Sequence, residues 1–390
     1  MRLHFEVALA LMKNFFEHSV VTKKSLGIVI LGTLLVIGFF LRFANIEHIP
    51  AGLYPDEAMN GVDALRAIET GEFQWFYPNN NGREGLFINL QALAIMLFGA
   101  TIPALKFFSA LFGTLTILGV FLLAKELWHQ RSVALFSAFL VTFSYWGINF
   151  SRIGFRAIMA PFLLSFSFWL FFRGLRTKKL RDFFLAGLVF GLGFHTYIAF
   201  RVAPLILILL AIGGYFSYKH FFALFWKPAL VFVFAMTITV LPIALTFFEH
   251  TEYLSSRSAS ISIFSPEVNH GNLPLTFLKT LSLSVIKYTF VGDQNWRHNY
   301  PPYPLLDFIS GTLFLCGFVF LIMRLFLLAR RRFENDDRNR ELLIALSSRG
   351  IRRYASPGIL DRGRTAPRTP RDRHSPIRLP DRKYATPLFR

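Results

Sequence analysis

The chain has 390 residues, of which 54% are hydrophobic and only 17% charged, with 47 Phe and a formal net charge of +19. Soluble domains are less apolar and more charged, and several runs approach or exceed the roughly 18 apolar residues of a membrane span. No run shows the alternation of about ten residues that marks β-barrel strands, so the fold class expected is all-α, a polytopic transmembrane helical bundle. The one cysteine, Cys316, excludes an intrachain disulfide and a cysteine metal site. The positive charge does not call for nucleic acid: from Ser347 onward 12 Lys/Arg face 3 Asp/Glu, and most other basic residues flank apolar runs, where they set topology.

Residues 1–24 read as a cytoplasmic N-terminal segment. "LHFEVALALM" contains Glu6 and no small-residue cleavage site, which argues against a cleavable signal. Residues 25–332 read as the transmembrane core. Its apolar runs are Leu26–Leu41, Leu86–Gly99, Pro103–Leu123, Ser132–Ile148, Ala157–Phe172, Phe183–Ile198, Val202–Phe216, Pro228–Phe248 and Leu306–Leu328. Leu86–Gly99 has 14 residues, contains Asn89 and Gln91, and ends in a glycine. It is expected to lie in the interface, leaving eight spans.

That choice sets the sidedness. With Leu86–Gly99 not crossing, Lys23, Lys24, Lys125, Arg131, the run "RGLRTKKLR" (Arg173–Arg181), Lys219, Lys227 and "RLFLLARRR" ending at Arg332 all face the cytoplasm, as the positive-inside pattern requires. The outer face then carries Asn45–Glu84, "NFSRIGFR", "HTYIAFR" and Glu249–Leu305. These hold Asp56, Glu57, Arg83, Glu84, Arg152, Arg156, His195, Arg201, Asp293, Arg297 and His298. Ionisable groups gathered at one membrane face point to function.

The first of these loops is the most informative. In "GLYPDEAMNGVDALRAIETG", Pro55 suits a turn, Asp56 suits the N-cap or first turn of a helix, and Gly71 suits its end. Met59, Val62, Leu65 and Ile68 recur at steps of three, a narrow apolar face for a helix lying along the bilayer. A carboxylate at such a surface can gain basicity by desolvation and serve as a general base. Trp75, Phe76 and Tyr77 suit an aromatic belt and Asn79–Gly82 a turn. Arg83, opening the interfacial helix with Glu84, lies at the depth of a lipid phosphate.

Several blocks in this order resemble a known family: "DEA" after the first span, "NNGREGLFINLQALAIMLFG", "PALKFFSALFGTLTILGVFLLAKELW", "FSRIGFRAIMAP", "FHTYIAFRVAPL" and "GDQNWRHNYPPYPLLD". They are similar to the GT-C integral-membrane glycosyltransferases, in particular bacterial proteins of the protein O-mannosyltransferase and aminoarabinose-transferase type, over Leu26 to Arg332. The resemblance implies a multi-pass protein of the cell (inner) membrane. It implies a sugar donor linked to polyprenyl phosphate, and transfer with inversion to a glycan, lipid or protein acceptor on the outer face. Asp56 matches the family's catalytic base, and Glu57 the second acid of the pair. Arg83 falls where relatives place a basic residue near the lipid phosphate. Arg152 and Arg156 lie in the second outer loop, which lines the family's cavity, and Glu84, His195, Arg201, Arg297 and His298 carry over as cavity residues. No nucleotide-binding glycine loop is present, as a lipid donor would allow. Members differ in their need for a divalent metal; Asp56 and Glu57 alone do not make a site for one, and none is expected.

Residues 333–390 read as a basic, disordered tail. Relatives carry further spans at this point, so the resemblance implies a chain cut short. "LDRGRTAPRTPRDR" can be back-translated so that a shift of one base reads "LTAEGLPHALRAI", an apolar, family-like segment, and a frameshifted tail is the expectation. Two other readings compete with an enzyme. An inactive truncated remnant fits the tail. A secondary transporter would show internal repeats and polar groups near mid-span, and neither is found in the sequence.

Overall fold

The computed structural model describes residues 23–217, 221–253 and 262–334. The expected N-terminal segment, apart from its last two residues, and almost all of the basic tail lie outside the described residues.

The described residues are helical almost throughout. Helix α1 (Lys23–Phe43) leads to α2 (Pro55–Thr70), then a two-stranded hairpin, β1 (Phe76–Tyr77) and β2 (Arg83–Glu84). Next come α3 (Gly85–Phe98), α4 (Ile102–Trp128), α5 (Arg131–Phe143), α6 (Tyr145–Arg152), α7 (Met159–Thr177) and α8 (Leu180–Leu192). After two 3-10 segments follow α9 (Pro204–Ser217), α10 (Phe221–Glu249), α11 (Pro266–Asn269), α12 (Leu273–Thr289) and α13 (Phe308–Glu334).

Among the described residues five helical stretches are long and apolar enough to cross a membrane: Ser25–Phe43, Ile102–Trp128, Arg156–Thr177, Ile198–Tyr215 and Phe222–Glu249. A sixth is the pair α5 and α6, bent by 54° at Ser144. This is fewer than the eight spans expected. The run Phe183–Ile198 yields only the 13-residue α8 before the backbone tightens into 3-10 turns at Gly193 and Ile198. The run Leu306–Leu328 falls almost wholly within the 27-residue α13. Helix α3, with 14 residues, rises about 21 Å at 1.5 Å per residue, less than the roughly 30 Å of hydrocarbon. Its polar side chains are bonded within the protein. Asn89 accepts from the Tyr77 hydroxyl at 2.8 Å, and Gln91 donates to the Leu105 carbonyl at 2.8 Å.

The largest core cluster joins α7, α8 and α10 through Phe168, Leu170, Phe183, Phe190 and Phe232. Helices α8 and α10 approach so closely that a Cβ on Gly187 would sit 2.2 Å from the Phe232 carbonyl oxygen, and one on Gly191 would sit 1.9 Å from Thr239 Oγ1. Small residues four apart allow this backbone contact, as in membrane helix pairs. Large apolar side chains on α1, α9, α10, α12 and α13 point outward, as a lipid-facing surface requires.

Two buried arginines tie α1 to the bent pair. The break at Ser144 leaves α5 carbonyls without helical donors; Arg42 of α1 donates to Val141 O at 3.0 Å and Thr142 O at 3.3 Å. In return Arg152 of α6 donates to Leu41 O at 2.8 Å, Ala44 O at 2.7 Å and Ile49 O at 2.8 Å, at and beyond the end of α1. Each guanidinium caps the C-terminal end of the helix opposite, which fixes the base of the first loop.

Candidate active site

Helix α2 starts at Pro55, with Tyr54 extended before it and no side-chain cap. Asp56 and Glu57 therefore occupy the first turn rather than the cap, near the positive end of the helix dipole. Consecutive helical residues point about 100° apart, and the pair divides accordingly. The Asp56 side chain is 38% exposed and that of Glu57 3%. The buried face of α2 continues through Asn60, Asp63, Ala64 and Ala67, while Val62 and Leu65 are exposed. An interfacial helix turns its polar face to the protein and its apolar side chains to lipid in this way.

Arg297 closes over both acids. Its Nη1 donates to Asp56 Oδ2 at 2.9 Å, and its Nη2 lies 3.7 Å from Glu57 Oε1. The guanidinium is sandwiched against Tyr54 and Phe155, 3.9 and 4.9 Å from the ring centroids, a favourable cation–π setting. Its loop is fixed from below: Asn149 Nδ2 donates to the carbonyls of Arg297 and His298, each at 3.0 Å. Asn299 donates to Tyr303 O at 2.6 Å. His298 packs between Phe150 and Phe155 with Nδ1 3.3 Å from Asp293 Oδ2. Burial lowers its pKa, and Asp293 opposes the shift.

The two carboxyls titrate apart. Partial burial acts to raise Asp56, but hydrogen bonds from Asn80 and Arg297 and the charges of Arg297 and Arg156 outweigh it, so its pKa is lowered. For Glu57 desolvation prevails over the nearby charges of Lys106 and Arg297, and the carboxyl is pushed up to about 7. The raised basicity expected of Asp56 thus falls on its neighbour. Around neutral pH the site presents an ionised, accessible Asp56 beside a buried Glu57 near its titration midpoint, a division of roles typical of acid–base sites.

The hairpin sends its two ionisable residues to opposite sides, as strand alternation demands. Arg83, paired with Tyr77 across the ladder, points into α2. It donates to Asn60 Oδ1 at 2.6 Å and pairs with Asp63 and Asn79, and it is fully buried. Arg83 is therefore enclosed by side chains of its own loop. Arg152 has all three guanidinium nitrogens on backbone carbonyls. Neither of these arginines offers an open face to a phosphate.

Glu84 faces the other way, toward Arg156 (Nε to Oε2, 3.6 Å) and Arg201 (Nη2 to Oε1, 3.9 Å). His195 lies in the 3-10 turn after α8, with Trp75 edge-on at 5.6 Å. The residues singled out from the sequence therefore fall into two neighbouring groups, Asp56–Glu57–Arg297–His298 and Glu84–Arg156–His195–Arg201, with Arg83 and Arg152 as braces beside them. Among the described residues no three His, Cys, Asp or Glu side chains converge as a metal site.

Three residues were missed from the sequence. Asn60 and Asp63, one and two turns after the acid pair, anchor Arg83. Their i, i+3 spacing from Glu57 was the available signal. Lys106, one turn into α4, is fully buried with Nζ 3.4 Å from Pro50 O. A lone lysine in the apolar run "PALKFF" carries the usual mark of a functional intramembrane charge.

Residues 86–245 match the family model described as dolichyl-phosphate-mannose-protein mannosyltransferase. No curated protein matches the chain significantly. Among solved structures, the chain is similar to the crystal structure of the Archaeoglobus fulgidus oligosaccharyltransferase tethered with an acceptor peptide containing the NVT sequon via a disulfide bond. The identity is 16% and the TM-score 0.48, over 84% of this chain and 46% of that one, so the chain spans about half of that protein's length. The family match begins after the acid pair and ends before Arg297, and takes in Arg152, Arg156, His195 and Arg201. Within that segment the chain carries the pattern of a mannosyltransferase family, and the resemblance to GT-C-type membrane glycosyltransferases read from its motifs holds.

Proposed function

We propose that the chain is a polyprenyl-phosphate-dependent glycosyltransferase of the cell (inner) membrane, acting with inversion on an acceptor hydroxyl at the outer face. The observation that carries this reading is the fixed, ionised Asp56, hydrogen-bonded by Arg297 and Asn80 at the rim of a helical membrane bundle. The acceptor oxygen attacks the anomeric carbon, the bond from that carbon to the phosphate oxygen breaks, and the electron pair leaves with the lipid phosphate. Asp56 takes the acceptor's proton as the new bond forms. Arg297 aligns Asp56, and Arg156 and Arg201, on the same face, supply positive charge for the phosphate as its charge grows. The lipid-facing apolar helices suit an isoprenoid chain. The family description favours mannose as the sugar and a protein as acceptor, with glycan and lipid hydroxyls the alternatives of the same chemistry.

The test is transfer of labelled sugar from polyprenyl-phosphate mannose in membranes containing the chain. Asp56→Asn should abolish transfer while the protein is still made. Equal turnover by the variant would remove Asp56 from the base role, and absence of transfer from any polyprenyl-phosphate sugar by the wild type would end the enzymatic reading.

A further inference from the structure

The second group, around Glu84, is not explained by its own contacts. Glu84 is 2% exposed, and its Oε2 is buried without a hydrogen bond. The two arginines beside it stand at 3.6 and 3.9 Å. They compensate its charge but lie beyond hydrogen-bond length. His195 is equally buried, and its Nδ1 also lacks a partner. Its Nε2 lies 2.6 Å from the carbonyl of Thr239. A carbonyl can only accept, so Nε2 carries the proton and the neutral ring offers Nδ1 as an acceptor. The pocket thus holds two buried acceptors that need donors, bordered by the guanidinium groups of Arg156 and Arg201. Aromatic rings border it: Trp75 lies edge-on to His195, Tyr197 under Arg156 and Phe247 under Arg201.

A hydroxyl is the group that both donates and accepts. A phosphate against Glu84 itself would be repelled, and it would bring no hydrogen to Nδ1. Sugar hydroxyls satisfy both buried acceptors and leave the bordering arginines to the adjoining phosphate, and the apolar face of a sugar ring suits the aromatic border. Arg156 joins this pocket to the acid pair, since its charge also acts on Asp56.

We infer that Glu84 and His195 form the hydroxyl-reading subsite for the sugar being transferred, with Glu84 Oε2 and His195 Nδ1 each accepting a hydrogen bond from a sugar hydroxyl. The inference rests on the glycosyltransferase reading above. It assigns these two residues to recognition of the sugar and not to the lipid phosphate or the proton transfer.

The test measures equilibrium binding to the full chain in nanodiscs. The probes are polyprenyl-phosphate mannose, polyprenyl-phosphate glucose and sugar-free polyprenyl phosphate, and the proteins are wild type, Glu84→Gln and His195→Gln. The wild type should bind at least one sugar-bearing lipid more tightly than the sugar-free lipid. Each variant should lose at least about tenfold of that preference, the effect of one hydrogen bond to a buried acceptor. Affinity for the sugar-free lipid should be retained in His195→Gln and retained or raised in Glu84→Gln, which removes a negative charge beside Arg156 and Arg201. That retained binding also shows that the variant is folded. Wild-type protein that binds all three lipids alike overturns the subsite, as do variants that keep the full preference. Wild-type protein that binds none of them overturns the donor reading itself.

Discussion

Arg297 donates from Nη1 to Asp56 Oδ2 at 2.9 Å, joining residues 241 positions apart. The contact couples the first loop of the bundle to the segment before α13, and it sets the charge of the accessible acid. Replacing Arg297 by Ala removes one hydrogen bond and the largest cationic influence on Asp56. The pKa of Asp56 should then rise. The acid limb of a pH–transfer profile should move to higher pH, with kcat lowered at least about tenfold for loss of alignment. Arg297→Lys should restore part of the charge effect but not the two-pronged geometry.

Glu57 makes the opposite prediction. Its carboxyl is pushed up to about 7, above the ordinary 4.5, chiefly by desolvation. The folded chain therefore binds a proton there that the unfolded chain has already lost, and stability falls as pH rises from about 4.5 through about 7. Thermal unfolding in detergent between pH 5 and 8 should show a falling melting temperature. Glu57→Gln, neutral at every pH, should flatten that slope. A slope unchanged in the variant would place the titrating group elsewhere.

Arg83 should behave as a brace. It is fully buried against Asp63, Asn60 and Asn79. Removing one partner of a buried pair leaves the other charge uncompensated, at a cost of about 3–5 kcal/mol. Arg83→Ala and Asp63→Ala should each lower the melting temperature strongly, and the double variant should cost less than the sum of the two. A residue that served only the lipid phosphate would instead raise KM for the donor and leave the melting temperature alone.

How much of this was readable in advance depended on the range of the interaction. Helix α3 could be withheld from the spans because length, Asn89 and Gln91 are local properties, and both polar side chains are bonded inside the protein. The helical fold class followed in the same way from apolar runs. The break after α8 was hidden, because Phe183–Phe194 is apolar throughout and the backbone already tightens at Gly193, before the polar His195 and Thr196. Arginine partners were hidden for a different reason. Arg152 satisfies carbonyls 103 to 111 residues away, and no pattern of its neighbours distinguishes that from a phosphate ligand. The acid pair itself was legible as a pair, but the assignment of desolvation to Glu57 depended on which side of α2 meets Gly154 and Lys106.

The common sidedness of both residue groups can be tested without activity. Arg156 stands at one end of the candidate span Arg156–Thr177, whose 22 residues extend about 33 Å at 1.5 Å per residue, enough to cross roughly 30 Å of hydrocarbon. The turn at Lys179 must then lie across the membrane from the Glu84 and Asp56 groups, which contact Arg156 or its neighbours. In a Cys316→Ser background, single cysteines at the exposed positions Glu72 and Trp296 should react with a membrane-impermeant maleimide from one side of sealed vesicles. Lys179→Cys should react only from the other. Labelling of Glu72→Cys and Trp296→Cys from opposite sides would separate Arg297 from Asp56 and dissolve the site, because the 2.9 Å contact requires both loops in one compartment.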